Sequence, residues 1–185
     1  AGATSVSSGA HLQVQGNITV GAEALTLNGP NGNVGLESVS GSNTYGGTIT
    51  LAGQDYQHIQ VDAGSLSLAG SGTAITGGFN VIFETAGSST LTVAGNITNG
   101  GGFIAMKRGP GTLFLSGTNT FGHMMIREGY VSVATVGNAT GPLGTGSLQM
   151  GNQDGNSGFV NHLIYTGTGE TTTRVIELFG NASTT

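Results

Sequence analysis

Gly111-Thr-Leu-Phe-Leu-Ser-Gly-Thr-Asn-Thr-Phe-Gly-His-Met-Met-Ile-Arg-Glu-Gly-Tyr-Val-Ser-Val133 is the stretch around which the chain is best read. Leu113 and Leu115 point one way, and Thr112, Phe114 and Ser116 the other, the period-two pattern of a strand with one buried face. Gly117-Thr-Asn119-Thr reads as a turn, because glycine and asparagine tolerate positive φ and the asparagine side chain can bond nearby backbone. A second strand is expected around 124–126, a turn at Arg127-Glu-Gly129, and a third strand on Val131 and Val133. Strand, Asn turn, strand, Gly turn, strand within about two dozen residues is one coil of a solenoid. One coil cannot bury its own apolar face and needs stacked neighbours.

The neighbours are in the sequence. Gly41-Ser-Asn43-Thr-Tyr45-Gly repeats Gly117-Thr-Asn119-Thr-Phe121-Gly, with Tyr45 standing where Phe121 stands. Leu91-Thr-Val-Ala-Gly-Asn96-Ile-Thr repeats Leu12-Gln-Val-Gln-Gly-Asn17-Ile-Thr. A long module over about 12–50 therefore recurs over about 91–125. The shorter phrase Gly-x-Leu-x-Leu-x-Gly returns at Gly64–Gly70 and Gly111–Gly117. Further strands are expected on Leu12 and Val14, Ile18 and Val20, Leu25 and Leu27, 49–51, Ile59 and Val61, Leu66 and Leu68, Val81 and Phe83, Leu91 and Val93, Ile104 and Met106, Leu148 and Met150, 159–165 and 173–179. No segment holds a helical period for ten residues.

Gly109-Pro-Gly111-Thr-Leu-Phe-Leu-Ser-Gly117-Thr-Asn-Thr-Phe121-Gly resembles the autotransporter-associated β-strand repeat of bacterial passenger domains. His123-Met-Met125 departs from that pattern, which has small residues there. Gly21–Gly29 and 163–176 are similar to phrases found between the core repeats of long proteins of this type. The resemblance implies a right-handed parallel β-helix in a secreted or surface-displayed protein of a Gram-negative-type bacterium. It is nearly silent on activity. The expected fold is all-β, a single solenoid over residues 1–185 of about eight coils, roughly 40 Å long at the ~4.8 Å strand spacing.

Composition supports an extracellular scaffold. The 185 residues include 36 glycines, and only 7% are charged, against roughly 25% in ordinary globular proteins. Lys107, Arg108, Arg127 and Arg174 are the only basic residues and the net charge is −5, so the basic stripe that meets nucleic-acid phosphates is lacking. No apolar run approaches the roughly 20 residues of a membrane span, so no membrane insertion by this segment is expected. Cysteine is absent, which suits an oxidising compartment where nothing can mispair. No signal peptide is visible, and the chain is expected to be a segment or subunit of a longer rod.

The side chains that could carry chemistry are sparse. Asp55 and Asp62 flank Tyr56 and His58, the best available cluster for an enzyme, while Glu23, Glu37, Glu84, Glu128, Glu170 and Glu177 are scattered along the sequence. No acid pair recurs at one-coil spacing, so the clustered carboxylates of a polysaccharide-degrading β-helix are not in evidence. No catalytic residue and no cofactor are assigned. The weak calcium candidate is Asn152-Gln-Asp154-Gly-Asn156, with oxygen ligands at alternate positions, but Leu163 stands where the closing Glu would be, and an Asx-rich turn is the preferred reading.

Structural roles are clearer. Asn17 with Asn96, and Asn43 with Asn119, are expected to hydrogen-bond along the rod and satisfy corner backbone groups. Gly41 and Gly117 are expected to open those turns. Tyr45 and Phe121 are expected to pack, or otherwise to form a sugar platform. The expected partner is the chain itself, through end-to-end stacking or further coils of the same polypeptide. The alternative is an adhesin whose outer face grips a glycan or host receptor through an exposed aromatic row among Tyr56, Phe114 and Tyr130.

Overall fold

The computed structural model describes residues 2–137, 141–151 and 159–180. Among these there is no helix, and the strands wind into a parallel β-helix of about seven turns. The first turn is β1 (Thr4–Ser7), β2 (Leu12–Gln15) and β3 (Thr19–Val20). The second is β4 (Leu25–Asn28), β5 (Val34–Ser40) and β6 (Ser42–Tyr45), and the third is β7 (Ile49–Leu51), β8 (Tyr56–Val61) and β9 (Ser65–Leu68). Then come β10 (Thr73–Gly77), β11 (Asn80–Thr85) and β12 (Thr90–Val93), followed by β13 (Asn96–Thr98), β14 (Ile104–Arg108) and β15 (Thr112–Leu115). The last elements are β16 (His123–Ile126), β17 (Gly129–Val133), β18 (Leu148–Met150), β19 (Asn161–Tyr165) and β20 (Ile176–Leu178).

Three parallel sheets result. Sheet A runs β1-β4-β7-β10-β13, sheet B runs β2-β5-β8-β11-β14-β16-β18-β20, and sheet C runs β3-β6-β9-β12-β15-β17-β19. Eight strands in sheet B against seven in sheet C match about seven full turns, with β20 entering the next. Sequence reading passed over β1, β5, β6, β10 and β13. In β5, glycine and serine interrupt the apolar alternation: Gly35 lies against Leu27, and Ser38 is buried.

The apolar positions stack in rows, each residue over its equivalent one coil away. Leu25, Ile49, Ile75 and Ile97 form one row in sheet A. Leu66, Leu91, Leu113 and Val131 form one in sheet C, which Asn43 begins on the side of the earlier coils. Most are fully buried in one continuous core, and each such side chain contributes about 1.5–3 kcal/mol.

The repeated module is not in phase with the coils. Three register steps carry Leu12 to Phe83 through Leu36 and Ile59, all within sheet B. Leu91, the sequence equivalent of Leu12, lies one strand further on, in sheet C. Asn17 therefore leads from sheet B to sheet C, whereas Asn96 opens β13 in sheet A. The phrase encodes strand, corner and strand, whichever face it falls on.

One row holds a charge. Leu12, Leu36, Ile59, Phe83, Lys107, Ile126, Met150 and Leu178 succeed one another along the inner side of sheet B. Lys107 is fully buried, and its Nζ reaches the corner to donate to the carbonyls of Gly109 (2.5 Å), Arg108 (2.6 Å) and Glu128 (3.2 Å). Desolvation pushes its pKa down to about 8, although Glu128 and Glu84 oppose the shift. Unfolded lysine titrates near 10.4, so between those values the unfolded chain binds the extra proton and stability rises with pH. From about pH 7 to pH 9.5, the wild-type urea midpoint should rise relative to that of Lys107→Met. Parallel pH profiles for the two proteins would contradict this account.

Candidate functional site

The corners are built by the paired asparagines. Asn17 Oδ1 accepts from Ser42 N at 2.7 Å, while Asn43 Oδ1 accepts from Ile18 N at 3.0 Å, so each coil satisfies a backbone group of the other. At the second copy, Asn96 Oδ1 accepts from Thr118 N at 2.8 Å and Asn119 Oδ1 from Ile97 N at 2.7 Å. Gly41 (φ 84°) and Gly117 (φ 75°) open the facing coil at positive φ. A Cβ on Gly41 would lie 2.9 Å from Asn17 N, and one on Gly117 would lie 2.7 Å from Asn96 Oδ1. Glycine at both positions permits the positive φ and the close approach.

Tyr45 and Phe121 lie inside the core, and neither offers a face to a sugar. Tyr45 stacks over Leu68 in sheet C, and burial, reinforced by the Glu23 carboxylate, raises its phenol pKa. The expected row of Tyr56, Phe114 and Tyr130 divides between two sheets. Tyr56 is half-buried on sheet B beside Ile82, Met106 and Met125, while Phe114 and Tyr130 are exposed on sheet C. Tyr130 stacks on His162, with ring centroids 4.7 Å apart and an interplanar angle of 5°.

Asp55 and Asp62 do not come together. They flank opposite ends of β8, roughly 20 Å apart at the strand rise per residue. Asp55 Oδ1 accepts from Asn80 Nδ2 at 2.8 Å, and Asp62 Oδ1 from Gln60 Nε2 at 2.6 Å. His58 turns instead to Glu84, with Nε2 and Oε2 3.1 Å apart. The calcium candidate Asn152, Asp154 and Asn156 lies outside the described residues.

Charged residues from separated stretches of sequence, Glu84, Arg108, and the adjacent Arg127 and Glu128, meet at the corner between sheets B and C. Glu37, Gln60, Glu84 and Arg108 form one outward row on sheet B. Arg127 is next in register, because its N donates to Lys107 O at 3.0 Å. Glu84, Arg108, Gly109, Arg127, Glu128 and Phe159 line a cleft of about 290 Å³. A second, of about 310 Å³, is lined by Pro110, Glu128, Gly129, Tyr130 and Val160 and shares Glu128 with the first. Glu84 is held below the usual carboxylate range by the adjacent His58 and, against the cost of burial, by the charges of Arg108 and Lys107. Glu128 Oε2 accepts from Gly109 N at 3.2 Å. Sequence reading missed this site, although the 19-residue separation of Arg108 from Arg127, close to one coil, was the available signal.

Arg174 is the other internal cation. Its guanidinium donates to the carbonyls of Val136 (2.9 Å), Leu143 (3.2 Å) and Gly144 (2.7 Å), and also to those of Gly137 and Gly146. It pins the connections of the last turn, and burial lowers its pKa.

Comparison of the chain with protein-family models, curated proteins and solved structures gave no match.

Asn119 is fully buried, and its Nδ2 also donates to Pro142 O at 2.7 Å. Asn119→Ala strands groups on both sides and should cost about 2–4 kcal/mol. Asn96→Ala, whose bond is exposed, should cost about 1 kcal/mol. Urea denaturation of the two variants checks this ordering, and equal losses would count against the buried clasp.

Proposed function

We propose that this chain is a structural β-solenoid of a secreted or surface-displayed bacterial protein, a stalk, spacer or fibre subunit. Its coils stack on further coils of the same polypeptide or of another copy. The low charge, the absence of cysteine and the resemblance to passenger-domain repeats support an extracellular setting. The observation that carries the reading is the continuous register of the coils, whose buried rows, Leu25, Ile49, Ile75 and Ile97 in sheet A and Leu66, Leu91, Leu113 and Val131 in sheet C, run from coil to coil through one core. Parallel strands stacked in this way extend by adding coils, each covering the apolar row and strand edge of the one before.

A binding module is the second reading, in which the outer face grips a glycan or host receptor. It is favoured by exposed Phe114 and Tyr130 and by the two corner clefts. The structural reading predicts that the purified chain forms thin, uniform fibres that lengthen with time, followed by negative-stain electron microscopy and light scattering. Head-to-tail contact between copies is open-ended, so the product is a filament. A short, monodisperse rod at all concentrations would overturn end-to-end assembly of copies.

A further inference from the structure

Asn-Gly occurs three times in the chain, at Asn28-Gly29, Asn31-Gly32 and Asn99-Gly100. The pair is chemically labile, because glycine has no Cβ to shield its backbone nitrogen from the carboxamide before it. That nitrogen attacks the asparagine Cγ, and the new N–Cγ bond closes a succinimide ring. The Cγ–Nδ2 bond breaks, and the amide leaves as ammonia with the proton from the glycine nitrogen. Water then adds to either imide carbonyl. Opening at Cγ leaves aspartate, and opening at the main-chain carbonyl leaves β-linked isoaspartate. Ring closure needs rotation about the asparagine Cα–C bond, so the fold decides which pair can react.

Two of the three pairs are held by the coils around them. Asn28 ends β4, where it is in register with Ser7 of β1. Gln57 brackets the next residue: the Gly29 amide donates to its Oε1 at 3.3 Å, and its Nε2 donates to the Gly29 carbonyl at 3.1 Å. That carbonyl also accepts from Gln54 N at 3.1 Å. Asn99 is only 2% exposed, and its Nδ2 donates to Phe79 O at 3.1 Å. The Gly100 amide donates to Thr120 Oγ1 at 3.2 Å. Both pairs require local opening of the solenoid before the nitrogen can reach Cγ.

Asn31 is under neither restraint. It lies between β4 and β5, in the turn that carries the chain from sheet A to sheet B. Asn31 and Gly32 are both exposed. Gly32 has φ 81°, and a Cβ built on it would meet nothing within 4 Å. Its amide is tied to the next coil by one bond, to Tyr56 O, at 3.4 Å, longer than the usual N–H···O range. Nothing buried has to move for the ring to close here. Conversion adds a carboxylate to a chain of net charge −5. The isoaspartyl form lengthens the main chain by a methylene at a point that no strand ladder crosses, so the coil register survives it.

We propose that Asn31 is a modification site, at which the folded chain forms aspartate and isoaspartate spontaneously, while the stacked coils shield the identical pairs at Asn28 and Asn99.

The test incubates the whole chain at mildly alkaline pH, folded and in concentrated urea, and follows each Asn-Gly peptide by mass spectrometry after proteolysis. In the folded chain Asn31 is expected to convert about tenfold or more faster than Asn28 and Asn99, which wait on local opening. In urea the three rates should converge. Asn31→Gln should abolish the fast conversion and leave the urea midpoint unchanged. Equal rates at the three sites in the folded chain would overturn the proposal. So would an Asn31 that stays intact while the chain in urea reacts. Rates that differ by the same factor in urea would overturn it too, since local sequence rather than the coils would then set them.

Discussion

Every turn of this structure depends on the next for its backbone hydrogen bonds. The strands run parallel, so their amides and carbonyls pair with the coils before and after rather than with a hairpin neighbour. At the corners the ladders break, and the orphaned groups need another partner. Asn17, Asn43, Asn96 and Asn119 supply it between coils, and glycine allows the approach. Removing a neighbouring coil exposes apolar rows and unpaired polar groups together. Stability is therefore shared along the rod, as nearest-neighbour models of repeat proteins describe.

The two buried cations extend the same logic. Lys107 occupies an apolar row, yet its ammonium finds three carbonyls at a corner. Arg174 gathers five carbonyls around the last turn. Tight corners aim carbonyls inward, and a long cationic side chain can reach them from the core. A buried charge is costly unless it is hydrogen-bonded in this way. Half of the chain's basic residues thus serve as internal staples, and the other half face the corner cleft.

Much of the fold was legible because the Leu-x-Leu and Gly-Asn-Ile-Thr phrases act locally. Leu91, Leu113 and Asn96 signal strand and corner on whichever sheet they land. The phase shift between Leu12 in sheet B and Leu91 in sheet C left no trace in the sequence, because coil lengths are set by the loops between strands. β5 was hidden by glycine and serine at positions where neighbouring coils place larger side chains. The inward direction of Lys107 was hidden by its chemistry, since alternation was read from apolar residues alone. The charged corner was missed for a related reason. Glu84, Arg108 and Arg127 are far apart in sequence, and only the register between coils makes them neighbours.

The central claim is that position along the rod follows coil number, whatever the sequence separation. Pulsed electron spin resonance tests it most directly in a chain with no native cysteine. Pairs of spin labels would join Gln13 to Gln60, to Glu84 and to Arg108, which occupy one outward row of sheet B. The account predicts mean distances that lengthen by about 4.8 Å for each added coil. Distances that fail to grow in that order would contradict the stacked-coil register and everything built on it.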